Sequence, residues 1–250
     1  MIPRLRVEAL LVAARRIFGP RLRAPGLVEA LAEESGLHPS NVLWALEHAL
    51  ELTPTEAELE GFLEQAPARS AVLVVLSANV FVAPLRAIAW ALAQSERVVV
   101  RTSRRAATFT RALLEAAPAL GIERIETSDD PAADIETALS SLPAGSAVHV
   151  YGAERAIESV AGLARRFAVT AELHGPGFGV IVDHQGTLVD CADEIARDVI
   201  AFDQGGCLSP RVIVVIGEVL PAMEALDGAL GRLGAATPRR TLDPAETAAC

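Results

Sequence analysis

Apolar positions change their period along the chain. Over the first 66 residues they recur at helical spacing, with Leu5, Ala9, Leu10, Ala13 and Ile17 on one side of a first helix. Pro20 and Gly26 punctuate this run, and the spacing predicts further helices over 28–34 and 42–50. Thr53-Pro54-Thr55-Glu56 reads as a helix start, with Thr53 as N-cap, Pro54 at the first helical position and Glu56 reaching back as a capping box. That helix is expected to run to Gln65, and Ala66-Pro67-Ala68 reads as a linker.

Beyond the linker, short apolar runs alternate with amphipathic stretches. Strands are expected over 71–76, 97–101, 122–126, 147–151, 169–173 and 180–183. Helices are expected between the first five, one ending at 94 and the others over 105–117, 130–142 and up to 167. A helix over 188–200, a strand over 212–216 and a helix over 220–233 complete the pattern, and the Pro- and Ala-rich tail from 235 is expected to fray. Strands separated by helices of this length imply parallel βαβ units with right-handed crossovers. The expected fold is therefore α/β, a doubly wound Rossmann-like parallel sheet behind a helical N-terminal segment. The expected division is a helical segment over 1–66, a dinucleotide-binding domain over 67–186 and a partial catalytic domain over 187–250. The most apolar stretch, 71–93, reads as a buried strand and helix and not a membrane span, because Asn79, Pro84 and Arg86 interrupt it.

Composition narrows the chemistry. The 22 basic residues are all arginine, so neither a P-loop nor a Schiff-base site can be built. A net charge of -10 without a basic stripe argues against nucleic acid. Cys191, Cys207 and Cys250 form an odd set without a CxxC, which points to reduced thiols and a cytoplasmic setting. Arg15 and Arg16 fall inside the apolar N-terminal run, where a signal peptide would not carry them. The five histidines are spread singly, so spacing supports no metal site.

Candidate residues follow from position. Gly175-Pro-Gly177-Phe-Gly179 lies between two strands and presents no helix N-terminus to a pyrophosphate, so it reads as a turn. Tyr151-Gly152-Ala153-Glu154 ends a strand and opens a helix at the ligand-binding edge of such sheets. Phe202-Asp-Gln-Gly-Gly-Cys207-Leu-Ser-Pro210 puts a cysteine after two glycines, a geometry suited to a nucleophile beside backbone amides. Cys191 falls in a helical pattern and Cys250 is terminal. Glu172 is expected to end the fifth strand just before His174-Gly175, and it or His174 could act as a base, while His149, His174 and His184 are each alternatives as a partner for the cysteine. Asn79, after the first strand, could donate to an oxyanion or simply cap a loop.

Read in order, SANVFVAP, RVVVRTS, VYGA, ELHGPGFGVIVD and FDQGGCLSP resemble the aldehyde dehydrogenase superfamily, and within it the acyl-CoA reductases typified by the long-chain fatty-acyl-CoA reductase of bacterial luminescence. The DQ-x-x-C-x-SP segment is the most specific part, and the resemblance covers about residues 70–217. It implies that Cys207 is the catalytic thiolate, Asn79 the oxyanion-hole asparagine and Glu172 the counterpart of the superfamily's ELGG glutamate, here in ELHG. It implies that Arg101, Thr102 and Ser103 meet the cofactor's adenosine ribose and phosphate, with arginine where the superfamily has lysine, and that Gly152 and Ala153 lie against the cofactor. The implied activity is NADPH-dependent reduction of a fatty acyl-CoA to an aldehyde through a Cys207 acyl-enzyme, which needs a depressed thiol pKa without help from any lysine.

Only 43 residues follow Cys207, fewer than this family carries, so a shortened catalytic domain is expected, together with a second copy or a partner chain. Two other readings stay open. One is a non-catalytic nucleotide- or partner-binding remnant of the superfamily, and the other is a reductase of another activated acyl group such as an acyl phosphate.

Overall fold

The computed structural model describes residues 2–238 except Leu22, Asn79, Arg104, Arg105, Glu126, Gln185, Cys207 and Leu208. It divides into two compact units. One comprises Met1–Leu27 with Leu46–Pro176, and the other Val28–Ala45 with Gly177–Cys250.

The first unit is built on five parallel strands, β1 (Val72–Val75), β2 (Val98–Arg101), β3 (Glu123–Ile125), β4 (Ala147–Tyr151) and β5 (Thr170–His174), in the spatial order β3-β2-β1-β4-β5. All four residues of β1 and of β2 are buried, as expected for strands covered on both faces. On one face Leu73, Val75, Val99, Val148 and Val150 pack against Ile135 and Leu139 of α7 (Pro131–Ser140) and Val160 and Ala164 of α8 (Glu154–Arg166). α5 (Pro84–Gln94), which includes the buried Leu85, Ile88 and Leu92, links β1 to β2, and α6 (Thr108–Ala116) links β2 to β3.

α1 (Pro3–Phe18) docks beside α5. Its Arg6, buried, donates from Nε to the Leu92 carbonyl at 2.7 Å, and Phe18 stacks on Phe109 of α6 at 4.2 Å. α4 (Glu56–Glu64) carries a capping box two residues later than the sequence pattern suggests. Thr55, not Thr53, is the N-cap: the Glu58 amide donates to Thr55 Oγ1 at 3.3 Å and the Thr55 amide to the Glu58 carboxylate at 2.7 Å. Both Thr-x-x-Glu spacings satisfy the motif, and the structure uses the second. Asp130, the first residue of the helix expected over 130–142, is the N-cap of α7, accepting from the Ala132 and Ala133 amides.

The second unit contains α3 (Pro39–Trp44), most of α2 (Leu27–Ser35), and a separate parallel pair, β6 (Gly179–Asp183) with β7 (Pro210–Val215). The sixth apolar run of the sequence thus pairs with the seventh and not with the five-stranded sheet. Ile181, Ile213 and Val215 pack against Leu188, Ile195 of α9 (Ala192–Ile200) and Ala222 of α10 (Val219–Ala236). Ala192, Ala196 and Ala229 let the two helices approach closely. Val180, Val182, Val212 and Val214 alternate with the covered residues and stay exposed. The apolar stretch 71–93 is a strand and a helix, and among the described residues no helix is long and apolar enough to cross a membrane.

Candidate active site

The strand order fixes where a ligand would meet the first unit. The chain runs from β1 outward to β2 and β3, then returns to place β4 on the other side of β1. The carboxyl ends of β1 and β4 therefore flank the topological switch point, the crevice in which doubly wound sheets bind ligands. Gly152 and Ala153 follow β4 there. Ala153 is the N-cap of α8 in an extended conformation and has no side chain able to cap the helix's leading amides. The Gly152 amide donates to the His174 carbonyl at 3.2 Å, and a Cβ on Gly152 would make only ordinary contact with Ala156, so packing within the protein does not demand this glycine. Arg101 and Thr102 lie buried at the same end of β2 with Ser103 following, and the Thr102 carbonyl accepts from Thr127 Oγ1 at 2.6 Å. Asn79, expected as the oxyanion donor after β1, lies outside the described residues.

Cys207 also lies outside the described residues, but the chain around it is defined. Asp203 and Gln204 both adopt the left-handed conformation, with φ of 49° and 61°, which side chains other than glycine rarely hold. The turn is held by Gly205 donating to the Phe202 carbonyl at 2.7 Å, Ser209 to the Gly206 carbonyl at 3.1 Å and Arg211 Nη2 to the Gln204 carbonyl at 3.0 Å. Backbone held in sparsely populated conformations concentrates at functional sites. Cys191 is the N-cap of α9, and its Sγ lies 3.2 Å from the Thr187 carbonyl.

Glu172 does not stand at the end of its strand. It is the central residue of β5, directly opposite His149 of β4, with Tyr151 opposite His174. The strand continues two residues further because His174 keeps the ladder with Tyr151. The Glu172 carboxylate accepts from Trp90 Nε1 of α5 at 3.3 Å, faces His149 Nε2 at 3.3 Å and pairs with Arg69 at 3.5 Å. His149 Nε2 also lies 3.1 Å from Gln94 Oε1. With two oxygen acceptors beside it, that nitrogen is assigned the ring proton. Tyr151 stacks on His174 at 4.3 Å with the rings 4° apart. Burial pushes His149 down to about 4, against the pull of Glu172, and also lowers His174. Burial beside Glu172 pushes Tyr151 up to about 12. Near neutral pH the cluster therefore holds neutral imidazoles and a protonated phenol.

The sequence profile of the acyl-CoA reductase (LuxC) family matches residues 44–250. The chain belongs to this family. No curated protein matches the chain. Among solved structures it is similar to an NAD-dependent benzaldehyde dehydrogenase from Corynebacterium glutamicum, with 19% identity and a TM-score of 0.67 over 92% of this chain and 55% of that one. It is also similar to a succinic semialdehyde dehydrogenase from Streptococcus pyogenes solved with NADP+, with 15% identity and a TM-score of 0.66 over 97% of this chain and 56% of that one. A propionaldehyde dehydrogenase from Clostridium phytofermentans gives 13% identity and a TM-score of 0.63 over 90% of this chain and 55% of that one. These likenesses show an aldehyde dehydrogenase-like fold. The chain spans about half the length of each.

In this acyl-CoA reductase family member, the sequence singles out Glu172, His149 and His174 separately but not the other residues around them. Arg69 precedes β1 and Trp90 and Gln94 lie four residues apart on α5, and no spacing links either place to β5. One signal was available. His149 and Tyr151 in AVHVY, and Glu172 and His174 in TAELH, are polar-capable residues at alternate positions of otherwise apolar strands, so each pair shares a face.

Proposed function

We propose that this chain reduces an acyl-CoA thioester to an aldehyde, with Cys207 carrying the acyl group. The observation that supports this best is DQ-x-x-C-x-SP, set within the region matched by the acyl-CoA reductase family and on a turn that holds two left-handed non-glycine residues. The Cys207 thiolate attacks the acyl carbonyl, the C–S bond to CoA breaks, and CoA leaves as its thiolate, which takes a proton from solvent. The Asn79 amide and the Cys207 N–H donate to the oxyanion of each tetrahedral stage.

A nicotinamide dinucleotide, NADPH in this reading, supplies the hydride when bound. Arg101 at the end of β2, Thr102 and Ser103 after it, and Gly152 and Ala153 before α8 fit such a ligand, because they combine a guanidinium and a helix N-terminus without a side-chain cap at the carboxyl edge of the sheet. The Cys207 thiohemiacetal then collapses, expelling the thiolate and releasing aldehyde. Thioester reduction uses no attacking water, so the route needs no carboxylate base at Glu172. The three partners already holding that carboxylate support a positioning role for it.

The test begins with the acyl half-reaction. The full chain, incubated with a fatty acyl-CoA, is expected to release CoA and gain one acyl mass on the peptide containing Cys207, and Cys207→Ala removes both. NADPH is then expected to discharge the adduct as aldehyde faster than NADH does. Absence of any Cys207-dependent adduct with acyl-CoA refutes the proposal, and acylation by acyl phosphates alone would move it to another activated acyl donor.

A further inference from the structure

We propose that His149, Glu172 and His174 form a binding site for a divalent first-row transition ion, for which Zn2+ is the probe. The register of β4 and β5 puts His149 opposite Glu172 and His174 two residues further on, so all three share one face of the sheet. Their donor atoms lie within 4.8 Å of one another. An ion midway across the widest such gap would sit at most about 2.4 Å from the two donors that bound it, and side-chain rotations that draw the third donor in bring all three toward the bond lengths of about 2.0–2.2 Å that zinc makes with nitrogen and oxygen. The His149 Nε2–Glu172 Oε2 separation of 3.3 Å already matches two ligands of one tetrahedral ion.

Two imidazoles and one carboxylate are an established donor set for zinc and for iron(II), and they leave positions open to water. Burial lowers the pKa of both histidines, so their lone pairs are available near neutral pH. The surroundings fit a supporting layer around the ligands. Arg69 holds Glu172 Oε1, Trp90 Nε1 donates to Oε2, the oxygen that faces His149, and Tyr151 stacks on the His174 ring. His174 is exposed and offers the way in. Two features limit affinity. Arg69 places a positive charge beside the site, and binding at Nε2 moves the His149 ring proton to Nδ1, a buried atom with no hydrogen-bond partner.

The metal-free full chain is titrated with Co2+, followed by visible absorption, and Zn2+ is then added in competition. One ion per chain is expected, with the bands of nitrogen and oxygen ligation, displaced by Zn2+. Zn2+ is also expected to raise the thermal midpoint. His174→Ala, a change at an exposed position, is expected to weaken binding at least tenfold and abolish the midpoint rise while keeping the circular dichroism of the parent. Glu172→Gln is expected to weaken binding as well. Saturable binding that persists unchanged in His174→Ala, a sulfur-to-cobalt charge-transfer band from the cysteines, or no saturable binding at all would overturn the assignment.

Discussion

Replacing Glu172 by alanine separates an anchoring carboxylate from a reacting one. In the structure this side chain takes three partners, Trp90 and His149 at 3.3 Å and Arg69 at 3.5 Å. All three distances are at or beyond the long end of the usual hydrogen-bond range, so each is assigned about 1 kcal/mol, toward the low end for a charged acceptor. The total of about 3 kcal/mol includes the cost to Arg69, whose Nε is buried without a hydrogen-bond partner and which would lose its ion pair with Glu172. For a chain of this length that lowers the thermal midpoint by about 6–12 °C. Glu172→Gln keeps an oxygen for Trp90 and His149 but loses the ion pair, so its midpoint should lie between alanine and the parent. Differential scanning fluorimetry supplies the midpoints, and intact-mass kinetics of Cys207 acylation, well below the lower midpoint, supplies the chemistry. An anchoring role requires a large midpoint loss with the acylation rate unchanged. A parent-like midpoint with acylation or aldehyde release slowed a hundredfold would refute the reasoning and restore Glu172 as a base.

Other outcomes follow from individual contacts. Phe109→Ala removes a buried ring that stacks on Phe18 and meets Phe81 edge-on, and should cost about 3–5 kcal/mol in urea unfolding. Asp183→Ala leaves the Thr187 and Leu188 amides without their carboxylate acceptor, and should cost about 1–3 kcal/mol by the same measurement. The Thr55 amide and hydroxyl hold the Glu58 carboxyl below its ordinary value of 4.5. That contribution is fully present above 4.5 and disappears as pH falls through the depressed folded value. Glu58→Ala, which removes the titrating carboxylate, should therefore lower the midpoint at pH 7 more than at pH 3, and an equal drop at both would refute the capping box.

The sequence revealed more of the fold than of the site, for a physical reason. Strand and helix periods are local, so the runs around Val72, Val98 and Ala147 identified three adjacent strands, and Asp130-Pro131 marked the start of α7. Capping is local too, but two overlapping Thr-x-x-Glu patterns compete at the start of α4, and the structure uses the one that begins at Thr55. The separation of β6 from the five-stranded sheet is not local. Its sequence, GVIVD, reads like the other strands, and its partner β7 lies beyond α9.

The site shows the same divide more sharply. The proposed roles of Cys207 and Asn79 rest on short local segments, FDQGGCLSP and SANVFVAP, that can be read directly from the sequence. The cluster around Glu172 depends instead on a register. A slip of one residue between β4 and β5 would put His149 opposite Ala171 or Leu173 and turn Glu172 to the opposite face. The register is held by the other face of the same strands, where Val148 and Val150 of β4 and Ala171 of β5 pack in the core beneath α7 and α8. The apolar side of the sheet thus determines which polar residues meet on the α5 side. His149 therefore shares no readable sequence spacing with Glu172, yet lies in hydrogen-bonding range of it.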